Sequence, residues 1–162
     1  MIKKIKGNIF NTSAQVIVNT VNCVGVMGRG IALECKLRYP EMFKKYKNFC
    51  DLKKIEPGIL QIWKESYPWI LNFPTKIHWK DPSKFDYLEK GLDKFVNTYS
   101  EKGITSIAFP LLGSSLGGLP EQQVFDLMKN KLENLRNIDI EIYEYDPNSN
   151  DNLFKKFNQK VY

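Results

Sequence analysis

The chain has 162 residues and a formal net charge of +6 at neutral pH, a length that suits one domain with a sizeable core. Its three scattered cysteines and single histidine argue against a disulfide framework and against a metal centre. It contains no apolar run of membrane-spanning length and no secretory leader pattern, so we expect a cytoplasmic protein without a membrane association. The lysine-rich charge fits either a solvated surface or a surface that holds a polyanion.

The first predicted elements are two strands separated by a short turn. Ile2 to Lys6 alternates apolar and charged residues, as in an edge strand, and ends at Gly7-Asn8-Ile9. Val16-Ile17-Val18 is a β-branched run typical of a buried strand.

The second strand leads into a loop that is rich in asparagine and glycine. Asn19 and Asn22 are separated by two residues, Gly25, Gly28 and Gly30 follow, and a helix is predicted from Ile31 to Tyr39. Glycines let the backbone approach a ligand, and the helix N-terminus favours an anion. The spacing matches neither a dinucleotide fingerprint nor a P-loop, so this loop alone could equally be an ordinary turn.

The middle of the chain predicts helices and a strand pair. Pro40 starts a second helix through Phe49, in which Phe43, Tyr46 and Phe49 have the spacing of core residues. After the turn at Glu56-Pro57-Gly58, two strands are predicted, from Ile59 to Trp63 and from Trp69 to Phe73.

The second half of the chain repeats the order of strand, loop and helix. Ser83-Lys84-Phe85-Asp86 has the form of a capping box before an amphipathic helix that ends near Gly103. The strand Ile107 to Pro110 runs into a loop from Leu111 to Leu119, and another helix begins near Pro120. Two such loops at the carboxyl ends of strands suggest one crevice that binds a pyrophosphate.

The chain ends with a strand and a polar segment. The last strand, Ile140 to Tyr145, is followed by a polar linker and a short tail or helix over residues 148–162, so we expect the domain to cover residues 1–147. Alternating strands and helices predict a three-layer α/β/α fold with a mixed central sheet.

Several of these stretches carry a family resemblance. Gly7 to Ile9, Val18 to Ala32, Asn72 to Lys76 and Pro110 to Leu119 occur in the family order across most of the chain. The chain resembles a macrodomain, the module that binds ADP-ribose. It is most similar to the branch that contains DarG-type DNA ADP-ribosyl glycohydrolase antitoxins and the eukaryotic terminal ADP-ribose protein glycohydrolase.

The resemblance implies which residues contact ADP-ribose. Asn8, where the family usually has aspartate, and Ile9 would lie at the adenine, with Tyr145 as a further neighbour. Asn22 would orient the distal ribose, although an asparagine at this point could instead satisfy loop backbone groups. The remaining implied ligand contacts are Val21, Met27, Gly28, Gly30, Ile31, Thr75, Gly113, Ser114, Ser115, Leu116 and Gly117.

Lys76 is the catalytic residue that the resemblance implies. On residue type alone, a lysine in a loop is a solvated charge. As a neutral amine it could attack the anomeric carbon or its opened aldehyde to form a Schiff-base-type intermediate. As a cation it could protonate or stabilise the leaving group, and the sequence does not choose between these routes.

The substrate is the last inference from the resemblance. The protein-directed glycohydrolase has aspartate where this chain has Gly117, whereas the DNA-directed antitoxins have glycine. We therefore predict removal of ADP-ribose from a base of single-stranded DNA, with thymidine favoured, and no cofactor. The alternatives are a protein de-ADP-ribosylase acting on glutamate esters or O-acetyl-ADP-ribose, and a non-catalytic reader of ADP-ribose. Candidate DNA contacts are Arg29, His78, Trp79 and Lys80.

Partners follow from the same resemblance. DarG-type antitoxins imply a cognate ADP-ribosyltransferase toxin and carry a further C-terminal domain that binds it. The residues after Pro147 are too few for such a domain, so we expect a stand-alone, monomeric enzyme.

Overall fold

A computed structural model of the protein describes residues 1–149. The predicted linker and tail lie, beyond their first two residues, outside this range. The strands are β1 (Ile2–Gly7), β2 (Val16–Val21), β3 (Gln61–Trp63), β4 (Trp69–Pro74), β5 (Ser106–Pro110) and β6 (Asp139–Tyr145). The α-helices are α1 (Gly30–Arg38), α2 (Pro40–Asp51), α3 (Phe85–Thr98) and α4 (Glu121–Leu132), and a 3₁₀ turn covers Ile9–Asn11.

These strands form one mixed sheet in the order β1-β6-β5-β2-β4-β3. All neighbouring pairs are parallel except β3 and β4, which form an antiparallel pair at one edge. The predicted edge strand β1 is at the other edge. Because β1, β2, β4, β5 and β6 point the same way, the segments that follow them emerge at one side of the sheet.

Helices cover both faces of the sheet, because β2 has apolar side chains on both of its faces. Val16 and Val18 pack on the face covered by α3 and α4, while Ile17 and Val21 pack on the face covered by α1 and α2. Successive strand residues point to opposite faces, so a strand buried on both sides is apolar throughout. The predicted three-layer α/β/α fold is confirmed.

The capping box predicted at Ser83 is wrong. Helix α3 has Lys84 as its N-cap residue, with no side-chain cap hydrogen bond. Ser83 lies one residue earlier, and its backbone N–H donates to the Gly117 carbonyl at 3.0 Å. Its hydroxyl is buried and has no partner in the described residues, because this contact turns the residue toward the loop after β5.

A ladder of amides crosses three strands beneath α2. Asn19 Nδ2 donates to Asn72 Oδ1 at 3.0 Å, and Asn72 Nδ2 donates to Gln61 Oε1 at 3.1 Å. These residues are direct cross-strand partners on β2, β4 and β3. Asn19 is fully buried, and its Oδ1, like Gln61 Nε2 at the other end, has no partner among residues 1–149. Asn19 therefore has a structural role in the sheet beneath the first loop.

Helix α3 approaches the sheet closely at one glycine. A Cβ on Gly91 would lie 2.8 Å from Phe73 Cε2 and closer still to the rest of that buried ring edge. Glycine to alanine in a helix usually stabilises by about 1 kcal/mol, but forced overpacking costs about 1 to 3 kcal/mol. We expect Gly91→Ala to lower the free energy of unfolding in urea denaturation.

The exposed Asn97 on the same helix provides the control for Gly91→Ala. Asn97→Ala is expected to raise stability by a few tenths of a kcal/mol, roughly the propensity difference. A Gly91→Ala protein as stable as the wild type would show that the ring of Phe73 moves freely.

Candidate functional site

The side of the sheet where the parallel strands end brings together the loops singled out from the sequence. The first loop, residues 22–29, connects β2 to α1, and the second loop, residues 111–119, follows β5. Thr75 and Lys76 follow β4, which neighbours β2 on the side away from β5, and the Thr75 N–H donates to the Val21 carbonyl at 2.9 Å. Residues distant in the sequence thus meet at one crevice.

Asn22 organises the first loop. Its Oδ1 accepts from the N–H groups of Val24 at 3.1 Å and Val26 at 3.3 Å, and its Nδ2 donates to the Val26 carbonyl at 2.7 Å. Asn22 thus satisfies backbone groups of the loop, which is one of the two roles that the sequence allowed. An amide nitrogen carries two hydrogens, so contact with the ribose stays a prediction alongside the structural role.

Tyr46 is a residue of the site that the sequence analysis assigned only to the core. Its hydroxyl lies 2.7 Å from the Asn22 carbonyl oxygen and 2.9 Å from Asn22 Oδ1, and these two oxygens share its one hydrogen. Burial raises the pKa of Tyr46, so the hydroxyl stays protonated as a donor. Its position in the helical pattern is that of a core residue. Only its hydroxyl, which needs a partner when buried, indicates the second role of holding Asn22.

Replacing Tyr46 with phenylalanine tests this second role. Losing the donor leaves a buried carbonyl unsatisfied, which costs about 1 to 3 kcal/mol. We expect Tyr46→Phe to lower the free energy of unfolding and to weaken ADP-ribose binding in calorimetry. The control Tyr99→Phe removes a comparable bond to the Arg136 carbonyl, 2.9 Å long, remote from the crevice. Equal effects of the two changes on ADP-ribose affinity would contradict the role.

The first loop ends at the N-terminus of α1. Met27 is buried over the amide ladder, where Asn19 Nδ2 lies 3.8 Å from its sulfur. Gly28, Arg29 and Gly30 are exposed, and Ile31 is half-buried. The first N–H groups of a helix lack intrahelical partners. This end can therefore receive an anion, as the sequence predicted.

The second loop is held by its own backbone. The Leu119 N–H donates to the Gly113 carbonyl at 3.0 Å, and the Ser114 hydroxyl donates to the Leu111 carbonyl at 2.8 Å. Within the described residues, the N–H groups of Ser115 and Leu116 make no hydrogen bond to protein. Free N–H groups of this kind are the donors that a phosphate requires.

Gly117 is enclosed by its neighbours. A Cβ at this position would lie 2.8 Å from the carbonyl carbon of Gly113, and closer still to the Gly113 oxygen and Ser83 Oγ. The carbonyl of Gly117 accepts the Ser83 N–H described above. The local backbone therefore has no room for any side chain at residue 117.

Lys76 joins the loop after β4 to the second loop. Its Nζ donates to the Leu116 carbonyl at 3.0 Å and to the Trp79 carbonyl at 3.3 Å. Its own carbonyl accepts from Cys23 Sγ at 3.3 Å, and burial raises the pKa of the Cys23 thiol to about 12. The thiol thus remains a proton donor that fixes the Lys76 backbone.

The two loops nearly meet across the crevice. Leu116 Cδ1 lies 3.3 Å from the point that a Cβ on Gly30 would occupy. The amine of Lys76 is bonded at the carbonyl of the same leucine. A ligand between the loops would therefore lie beside this amine.

At the far end of the crevice are the residues predicted to contact adenine. Asn8 Oδ1 accepts from the Phe10 N–H at 2.9 Å and caps the 3₁₀ turn, Ile9 is buried, and Tyr145 is 73% exposed. The asparagine therefore has a local structural role. The adenine contacts of all three remain predictions.

Residues 78–80 form an exposed aromatic and basic segment next to Lys76. The rings of His78 and Trp79 are stacked at 5.4 Å, and Lys80 Nζ lies 5.0 Å from the Trp79 ring centroid. Trp79 is 47% exposed. Arg29 is exposed on the first loop, and DNA contact by these four residues remains a prediction.

Comparison with family models shows that the Macro domain model matches residues 18–128, more than half of the chain. The chain belongs to the macrodomain family. This match includes both loops, Lys76 and the strands β2, β4 and β5 that carry them. The family assignment made from the sequence is confirmed.

Curated relatives of this macrodomain are proteins named DNA ADP-ribosyl glycohydrolase. The one from Thermus aquaticus is 36% identical over 148 residues, which are 89% of this chain and 41% of the relative. The one from Mycobacterium tuberculosis is 39% identical over 88% of this chain and 42% of the relative. The macrodomain thus spans about two fifths of the length of these relatives.

Solved structures show the same similarity. The macrodomain of Thermus aquaticus DarG superposes with a TM-score of 0.84 at 36% identity, covering 89% of this chain and 98% of that one. Thermosipho africanus DarTG, solved in complex with ADP-ribose, has the same TM-score at 34% identity, covering 93% of this chain and 43% of that one.

The described residues of the macrodomain contain neither a membrane-spanning helix nor a metal-binding cluster. No helix in residues 1–149 is long and apolar enough to cross a membrane. Over the same residues, no group of three or more histidine, cysteine, aspartate or glutamate side chains could hold a metal ion.

Proposed function

We propose that this macrodomain is an ADP-ribosyl glycohydrolase that removes ADP-ribose from a base of single-stranded DNA, with thymidine as the modified nucleoside. The observation that carries the proposal is the position of the Lys76 amine, which is bonded to the second loop at the mouth of the crevice. The names of the relatives from Thermus aquaticus and Mycobacterium tuberculosis support the reaction class.

Binding comes first in the proposed mechanism. The pyrophosphate would lie between the N-terminus of α1 and the N–H groups of Ser115 and Leu116, which offer donors already fixed by the fold. Asn8, Ile9 and Tyr145 would contact the adenine, and Asn22 the distal ribose. The remaining ligand contacts proposed from the sequence lie in these two loops, at the end of β2, at the start of α1 and directly after β4.

Bond cleavage would occur at the anomeric carbon of the distal ribose. The bond to the base breaks, its electron pair leaves with the base, which takes up a proton, and water supplies the oxygen that remains on the sugar. Lys76 could act as a cation that stabilises the leaving base or as an amine that forms a Schiff-base-type intermediate. Its two carbonyl partners hold the amine in one place for either route.

DNA is favoured over modified protein as the substrate because of residue 117. The protein-directed glycohydrolase that the sequence resembles has a carboxylate there, and the backbone around Gly117 has no space for one. The exposed Trp79 ring with Lys80 over it offers a stacking and charged surface suited to a single strand.

A parallel assay tests the proposal. Wild-type protein is incubated with an ADP-ribosylated oligonucleotide and with an ADP-ribosylated glutamate peptide, and released ADP-ribose is measured over time. We expect much faster release from the oligonucleotide. Faster release from the peptide would favour the protein-directed activity, and binding of ADP-ribose in calorimetry without turnover of either substrate would indicate a reader.

The proposal extends to partners and location. The Thermosipho africanus relative is named as a fusion of a DNA ADP-ribosyl transferase and a DNA ADP-ribosyl glycohydrolase. We therefore propose a transferase of that class as the source of the substrate. A monomer that acts in the cytoplasm on such DNA is part of the same proposal.

A further inference from the structure

A cavity of about 400 Å³ lies next to the loop that follows β4. Its lining includes Ile55, Glu56, Pro57, Ile77, Tyr87 and Lys90. It also includes Cys23, whose N–H donates to the Ile77 carbonyl at 2.9 Å and whose thiol donates to the Lys76 carbonyl. Apart from Cys23, no lining residue belongs to either phosphate-facing loop, so the ADP-ribose contacts leave this space unassigned.

The walls of the cavity are apolar and aromatic. Ile55 is buried, Pro57 and Tyr87 are half-buried, and Ile77 is 48% exposed at the rim. Flat apolar surfaces and tyrosine rings stack on nucleobases without regard to sequence. The volume lies within the range of about 300 to 1,000 Å³ typical of small-molecule sites. These features fit a planar, uncharged ring.

The charges around the cavity favour a neutral base inside it and a phosphate outside it. The carboxylate of Glu56 in the lining opposes a phosphate inside the cavity. Lys90 also lines the cavity, but its Nζ is paired with Asp86 at 3.1 Å. Lys84 lies outside the lining, with its Nζ 5.7 Å from the Tyr87 ring centroid. This distribution suits a base in the cavity and the backbone of the strand along the lysine-bearing start of α3.

The cavity adjoins the candidate active site through two residues of its lining. Ile77 directly follows Lys76, and the Cys23 thiol donates to the Lys76 carbonyl. A base that adjoins the modified nucleotide in the strand can therefore reach the cavity.

We propose that the Tyr87 cavity, lined by the residues above, binds the nucleobase adjoining the modified nucleotide in a single DNA strand. This proposal rests on the proposed function and adds the part of the substrate that lies beyond ADP-ribose. The cavity makes the enzyme prefer a modified strand to a modified nucleoside.

Two substrates with the same glycosidic bond test the cavity. One is ADP-ribosylated thymidine, which has no neighbouring base, and the other is a single-stranded oligonucleotide that carries the same modification. We expect Tyr87→Ala to lower kcat/KM for the oligonucleotide about tenfold, since base stacking on an aromatic ring is lost. The value for the nucleoside should not change, and Tyr87→Phe, which keeps the ring, should restore the oligonucleotide value.

Tyr67→Ala is the matched control, because Tyr67 is an exposed tyrosine between β3 and β4 that lies outside the cavity lining. It should change neither value. Equal losses on both substrates, or no loss on the oligonucleotide in Tyr87→Ala, would overturn the cavity proposal.

The proposed function and the cavity can fail separately. If wild-type protein cleaves neither substrate, the proposed function fails, and the cavity is then judged by fluorescence anisotropy with an unmodified single strand. Weaker strand binding by Tyr87→Ala than by Tyr67→Ala would support the cavity. Equal affinities would overturn it.

Discussion

Lys76→Ala is expected to lower the rate of ADP-ribose release from modified single-stranded DNA by about 10²- to 10⁴-fold, the usual contribution of a positioned acid or base. The Lys76 amine is bonded to the Leu116 and Trp79 carbonyls at the mouth of the crevice. No other lysine makes these two contacts in residues 1–149. The measurement is single-turnover release of ADP-ribose from a labelled oligonucleotide.

The fold of Lys76→Ala should persist. The lost hydrogen bonds join a half-buried side chain to loop carbonyls, so the free energy of unfolding should fall by at most about 1 kcal/mol. ADP-ribose should still bind in calorimetry, because the phosphate-facing N–H groups are intact. Full activity in the alanine variant would remove Lys76 from the mechanism.

A further variant and a trapping reagent separate the two chemical routes for Lys76. Lys76→Arg keeps a cation but cannot form a Schiff base, so substantial residual activity favours stabilisation of the leaving base. Borohydride reduction during turnover of the wild type should give a stable protein adduct only if the amine becomes covalently bound to the sugar.

Gly117→Ala is expected to disable ligand binding through the second loop. The new Cβ would overlap the Gly113 carbonyl, which is backbone and can yield only if the loop moves. Overpacking of about 1 to 3 kcal/mol corresponds to roughly 5- to 150-fold weaker ADP-ribose binding, provided that the strain is relieved by displacing the loop. Calorimetry measures the binding, and chemical denaturation shows whether the strain lowers stability instead.

Two further variants interpret the Gly117 result. Gly7→Ala is a control for stability, since a Cβ there meets no atom within 4 Å. Gly117→Asp introduces the carboxylate of the protein-directed glycohydrolase, and we expect loss of activity on both DNA and peptide. Gain of peptide activity would show that the loop can open to admit a side chain.

The sequence predicted most of the fold because the strands and helices have distinct periodicities. The buried β2 was evident from β-branched residues, and Pro40 marked the start of α2, where the structure has it. It also predicted that Lys76 follows a strand. Strand order could not be read from local patterns, because pairing between β2, β4 and β5 joins segments about 50 to 90 residues apart.

Contacts between distant residues are what the sequence did not reveal. Ser83 has the sequence pattern of a helix cap. In the structure its N–H donates to the Gly117 carbonyl, and its side chain packs against Gly117. Tyr46 has the spacing of a core residue, yet its hydroxyl bonds Asn22, 24 residues away. Each depends on a tertiary neighbour, so neither could be inferred from local spacing.

The amide ladder from Asn19 through Asn72 to Gln61 has a consequence for how the strands align. Side chains alternate between faces, so sliding β4 by one residue against β2 would turn Asn72 into the apolar layer around Phe73 and leave Asn19 without its hydrogen-bond acceptor. The penalty for a misaligned pair is thus high at the strands that lead to Asn22 and Lys76. The spacing between those two side chains is set by a polar cross-strand match several residues away from either of them.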